Sequence, residues 1–167
     1  DALINKEKVT VFGDYDVDGA TSCALLKRFF NSLGRDINIY IPDRIDEGYG
    51  PNSEAVIKIR EEGTSLLITV DCGINSFESL SKGTKAGLDI VVLDHHRADV
   101  QIPDVYAAVN PNRLDDESGQ GHMAAVGVVF LTIVAVNRML RDNGFYEREE
   151  IAEPRILQLL DLVALGT

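Results

Sequence analysis

Three short apolar runs of this chain each break directly into aspartates. Val9 to Phe12 leads into Gly13-Asp14-Tyr15-Asp16-Val17-Asp18-Gly19, Leu66 to Val70 into Asp71-Cys72-Gly73, and Ile90 to Leu93 into Asp94-His95-His96. Two further strand-length runs, Ile37 to Ile41 and Tyr106 to Val109, complete a set of five. Helix-length segments lie between them, roughly Ala20 to Leu33, Ser53 to Glu62 and Phe77 to Ala86. Strand, helix, strand at this spacing predicts βαβ units. The expected fold is α/β, a mostly parallel five-stranded sheet with helices on both faces. In such an open sheet the carboxyl ends of the strands share one edge, and ligands bind there. Acids far apart in sequence should therefore meet in one crevice.

After Asn110 the pattern changes. A polar loop, Asn112 to Gly121, leads to a helix from about Ala124 to Leu140, and a second runs from about Pro154 to Leu165 with Pro154 in its first turn. The 167 residues suit one domain. The longest mainly apolar run, Met123 to Val136, is fourteen residues, too short for a bilayer span. The first residues carry no apolar signal core, and two cysteines make no disulfide framework, so a cytoplasmic location is expected. The chain stops straight out of an apolar helical run, which reads as a piece of something longer.

Clustered carboxylates repel one another unless protonated or neutralised by a cation. With imidazole beside them they favour Mn²⁺ or Mg²⁺ before Zn²⁺. Sixteen basic residues against twenty-seven acidic ones leave a net charge of −11, ill suited to gripping a phosphate backbone by bulk charge. A calcium EF-hand is disfavoured: counted from Asp14, the twelfth position, which needs a carboxylate, is Leu25, and the loop follows a strand instead of a helix. Solvated surface acids are the bland alternative for Asp14 to Asp18, weakened because Asp71 and Asp94 end neighbouring strands the same way. Asp161 has apolar neighbours in Leu159-Leu160-Asp161-Leu162-Val163. A buried carboxylate there needs a partner or a metal; on a solvent face with Gln158 it would simply lie in water. Cys72 reads as a small packing residue.

Gly-Asp-Tyr-Asp-Val-Asp-Gly-Ala-Thr-Ser, Thr-Val-Asp-Cys-Gly-Ile, Leu-Asp-His-His and Leu-Asp-Leu-Val-Ala-Leu-Gly-Thr together resemble the four motifs of the DHH phosphoesterases. Pro42-Asp43-Arg44, Glu47-Gly48-Tyr49-Gly50 and Ala124-Ala125-Val126-Gly127-Val128 are most similar to the RecJ-type exonucleases of that superfamily. The resemblance implies a DHH catalytic subdomain over residues 1–167, to be followed by a DHHA1-type subdomain and an OB-fold. It implies two Mn²⁺ or Mg²⁺ ions and 5′→3′ hydrolysis of single-stranded DNA from its 5′ end, in DNA repair and recombination.

By the same resemblance Asp16 and Asp18 are ligands, one for each ion, and Asp71 bridges them. His95 and Asp161 are further ligands, and His96 faces the phosphate. Asp14 belongs with the metal set and Asp94 with the catalytic set, each directly or through a neighbour. Arg44 is either a phosphate or 5′-end group or an ordinary surface arginine. Phe12 stands where many relatives carry His, which implies a first ion one ligand short or completed by water. Two alternatives stay open: a DHH phosphoesterase of short oligonucleotides, cyclic dinucleotides or pyrophosphate, and a signalling receiver domain, which has no need of a His-His pair.

Overall fold

The five apolar runs form strands β1 (Val9–Gly13), β2 (Asn38–Tyr40), β3 (Leu66–Val70), β4 (Asp89–Leu93) and β5 (Ala107–Val109) in a computed structural model describing residues 1–167. They pair in the order β2-β1-β3-β4-β5, every pair parallel, as the alternating pattern predicts. The helices are α1 (Ala2–Asn5), α2 (Val17–Ser32), α3 (Ser53–Glu61), α4 (Phe77–Lys85), α5 (Ala125–Asp142), α6 (Phe145–Arg148) and α7 (Leu160–Gly166). None is long and apolar enough to cross a membrane.

Alternation of side chains along each strand decides which helices it meets. Val9 and Val11 of β1 share a core with Ile68 and Val70 of β3, and Leu25 and Phe29 of α2 and Val129 and Ile133 of α5 fill it. Phe12, Leu67, Ile90 and Val92 face the other way, onto Val56 and Ile59 of α3 and Leu80 of α4. Helices therefore cover both faces.

The register sets up the site. Gly13 pairs with Val70 and Val70 with Leu93, so the residues that follow, Asp14, Asp71 and Asp94, stand in one row at the carboxyl edge. From β1 the chain crosses outward to β2, whereas from β3 it crosses the other way to β4. The crevice between the ends of β1 and β3 is thus the switch point, where open parallel sheets bind ligands.

Helix α2 starts three residues earlier than its apolar pattern indicates. Asp16 is its N-cap, and its carboxylate accepts the Gly19 N–H at 2.9 Å. Glycine is required at position 19, since a Cβ there would stand 2.5 Å from the Asp14 carbonyl oxygen. Asp18 therefore lies on the first turn of a helix, not in a loop. The last helix also departs from expectation: Pro154 precedes it, a 3-10 turn spans Ile156–Leu159, and α7 begins only at Leu160. The four-residue α1 and α6 contain about one turn each, too little for any periodic signal.

Candidate metal centre

Asp71 is the hub. It is 2% exposed and holds φ at 60°, a left-handed conformation that costs a non-glycine residue about 1–2 kcal/mol. Its N–H continues the sheet by donating to the Leu93 carbonyl at 3.0 Å. Two groups of potential ligand atoms, each within 4.8 Å of one another, meet at this residue: Asp14, Asp16 and Asp71, and Asp71, His95 and His96. Burial, joined by the charges of Asp18 and Asp16, pushes the Asp71 carboxyl up to about 8. Asp14 is raised as well, by burial first, although the Tyr15 N–H bonding its Oδ1 at 2.8 Å opposes the shift.

Each histidine has its tautomer fixed by an acceptor. His95 Nδ1 lies 3.0 Å from the Met123 carbonyl oxygen, which can only accept, so Nδ1 carries the proton. Its Nε2 lone pair is left facing Asp71 Oδ1 at 3.2 Å and Asp18 Oδ2 at 3.7 Å. His96 Nδ1 lies 2.7 Å from Asp94 Oδ1, which leaves Nε2 free on a side chain 46% exposed. Asp94 also accepts the backbone N–H groups of Ile74, His95 and His96. It builds the turn and anchors a ring.

Asp18 borders the cluster and is occupied. Its Oδ2 accepts the Ala125 N–H at 2.9 Å and its Oδ1 the Val126 N–H at 2.8 Å. It thereby caps α5, whose own N-cap, Ala124, supplies no side-chain bond. Arg44 lies at the rim, its guanidinium carbon 5.1 Å over the Tyr15 ring, with no carboxylate partner. Its charge reaches Asp14 and opposes that group's rise.

The structure does not bring Asp161 to this cluster, and the expected ligand role is corrected accordingly. Its side chain is 63% exposed and makes a two-oxygen pair with Arg28 Nη1 at 3.0 and 2.9 Å. Arg28 lies ten residues beyond Asp18 on α2, about 15 Å along the helix axis at 1.5 Å per residue. Phe12 is fully buried and stacks on Tyr40, ring centroids 5.3 Å apart, so this position serves packing and supplies no ligand.

The family model described as the DHH family, N-terminal domain, matches residues 8–167. The chain belongs to the DHH family. Within the family it is 40% identical over 161 residues to the single-stranded-DNA-specific exonuclease RecJ of Salmonella typhimurium, covering 96% of this chain and 28% of that protein. A crystal structure of exonuclease RecJ bound to manganese matches with a TM-score of 0.79 at 34% identity, over 99% of this chain and 39% of that one. RecJ from Thermus thermophilus in complex with Mn²⁺ matches with a TM-score of 0.73 at 31% identity, over 99% of this chain and 22% of that one. The DHH chain thus spans 28% of the length of the Salmonella relative.

Several residues that shape the DHH turn carry no signal in the sequence. Asn110 donates to the His96 carbonyl at 2.8 Å and Asn112 to the His95 carbonyl at 2.5 Å. Tyr49 donates to the Asp71 carbonyl at 3.0 Å. Only the Glu-Gly-Tyr-Gly stretch marks Tyr49 out, and it says nothing of a bond to Asp71.

Proposed function

We propose that this DHH-family chain is the metal-holding catalytic subdomain of a single-strand-specific 5′→3′ DNA exonuclease, a phosphodiester hydrolase of DNA repair and recombination. The observation that carries the reading is Asp71, shared by two donor groups at the switch point of the sheet. The donors fit two Mn²⁺ or Mg²⁺ ions: one group is all carboxylate and the other mixes carboxylate with imidazole. Thiolate is not on offer, since burial pushes Cys23 up to about 12 and Cys72 well above its ordinary value. When bound, such ions polarise phosphoryl oxygens and lower the pKa of a water.

The protein's own groups then divide the work. Asp71 would sit between the two positions, with Asp14 and Asp16 on one side and His95 Nε2 on the other. Asp18 flanks His95 and ties this side to α5. His96 keeps its proton on Nδ1, donated to Asp94, and presents Nε2 to the phosphate or the leaving oxygen. The unpaired guanidinium of Arg44 is suited to a 5′ phosphate. In this reading a DHHA1-type subdomain and an OB-fold beyond residues 1–167 supply the second wall of the groove and the backbone grip that a charge of −11 disfavours. The whole protein acts in the cytoplasm.

The test pairs two forms. The 167-residue chain should bind Mn²⁺ yet degrade long single strands little and without processivity, because orientation of the phosphodiester, worth about 7–11 kcal/mol, needs both walls. A form that retains the second subdomain should degrade 5′-phosphorylated single strands, lose activity to a chelator and regain it with Mn²⁺. Full activity in excess chelator, or preference for a dinucleotide over a long strand, would overturn the reading.

A further inference from the structure

The Tyr49 hydroxyl spans two strands of the centre. It donates to the Asp71 carbonyl at 3.0 Å, and its oxygen stands 3.4 Å from His96 Nδ1 and 3.5 Å from Nε2, the two rings meeting edge-on at 73°. Asp71 follows β3 and His96 follows β4, whereas Tyr49 arrives from the segment after β2. That segment is shaped to deliver it: Gly48 and Gly50 on either side hold φ at 78° and 74°. A Cβ at Gly50 would lie 3.7 Å from Ser76 Oγ and 3.9 Å from Cys72 Cβ, so the segment rests directly on the turn after Asp71.

We infer that Tyr49 is a positioning residue whose hydroxyl locks the left-handed Asp71 backbone and so aims the carboxylate shared by the two donor groups. The Leu93 carbonyl holds the Asp71 N–H, and Tyr49 holds the Asp71 carbonyl. With both ends tied, the peptide plane after Asp71 cannot rotate, and the carboxylate stays between Asp16 and His95. Without the hydroxyl the carbonyl loses its partner, and the strained φ relaxes toward ordinary values. The inference rests on the two-ion reading and adds an orienting group to it. Partners of this kind typically change metal affinity by about 10–100-fold.

Tyr49→Phe separates this role from plain stabilisation when set beside Tyr146→Phe. Tyr146 also donates its hydroxyl, to Asn137 Oδ1 at 2.6 Å, within the α5–α6 packing and away from the centre. The 167-residue variants are titrated with Mn²⁺ by calorimetry, the coupled-ion signal is followed by electron paramagnetic resonance, and unfolding is measured in chelator. Tyr49, 56% exposed, should tolerate the change with an unfolding midpoint near the parent's. At least one Mn²⁺ affinity should fall about 10–100-fold and the coupled signal should weaken. Tyr146→Phe should lower the midpoint and leave both affinities unchanged. Two ions bound at parent affinity by Tyr49→Phe would overturn the inference, as would equal weakening in both variants or failure of Tyr49→Phe to fold. A parent chain that takes up no Mn²⁺ overturns the two-ion reading itself.

Discussion

Asp94 Oδ1 lies 2.7 Å from His96 Nδ1, and the same carboxylate accepts three backbone N–H groups, from Ile74, His95 and His96. One buried side chain therefore both folds the turn after β4 and fixes the ring that the turn displays. Asp94→Ala leaves those donors unpaired. Each buried unsatisfied group costs about 1–3 kcal/mol, so the variant should lose at least that much stability in chelator. A denaturation midpoint equal to the parent's would show that the turn stands without Asp94.

Asp71→Ala should be among the most damaging single changes to catalysis in the longer, two-subdomain form proposed above. Losing one well-placed electrostatic group typically costs about 10²–10³-fold in rate. Metal-free stability should change little or rise, because a carboxyl crowded by Asp16 and Asp18 is removed. Single-turnover rates and melting in chelator measure both arms; near-normal rates would remove Asp71 from the centre.

The raised Asp71 carboxyl also sets a pH dependence. An ordinary aspartate titrates near about 3.9, and this one at about 8 in the folded metal-free protein. The folded state therefore holds the proton more tightly than the unfolded state. The resulting stability is fully present below about pH 4 and is lost as pH rises through about 8. Melting in chelator should fall accordingly across that window. Mn²⁺ binding at about pH 6 should release a proton that is no longer released above about pH 9. Calorimetry in buffers of different ionisation heat reads this directly, and a pH-independent proton count would contradict it.

Asp18→Ala unhooks two elements more than a hundred residues apart. The Ala125 and Val126 N–H groups lose their acceptor, and removal of such a cap costs about 0.5–2 kcal/mol. Hydrogen exchange should accelerate at the first turn of α5 and leave its last turn unchanged. Uniform exchange along α5 would argue against the cap.

Asp161→Ala should leave Mn²⁺ affinity and stoichiometry untouched, since its carboxylate is engaged with Arg28 on the solvent side of α2 and α7. A drop in Mn²⁺ stoichiometry would return Asp161 to the ligand set.

The contrast between Asp161 and Asp71 shows what a sequence of this kind makes legible. Asp71 ends a β-branched run, and a parallel sheet sends every such run's end to one edge, so local pattern and global position coincide. Asp161 stands out in sequence only by its apolar neighbours at adjacent positions, which on a helix point about 100° away and say little about its own direction. The strands, both faces of helices and the Asp14–Asp16–Asp71–His95 cluster follow from pattern. The start of α2 does not, because a capping aspartate and a glycine approach extend a helix beyond its apolar stripe. Tyr49, Asn110, Asn112 and the Met123 carbonyl act from loops, where no periodicity marks them.

The row formed by Asp14, Asp71 and Asp94 makes the hydrogen-bonded ladder a ruler for the centre. Its graduations are the pitch between strands, about 4.8 Å, and the rise along each, about 3.3 Å. A slip of β3 by one residue against β1 would displace Asp71 by one graduation and turn it to the opposite face. Donor spacing is therefore calibrated by residues that touch no ligand, such as Val11 and its partner Ile68. Which cation fits this crevice is decided as much in the interior of the sheet as at its charged rim.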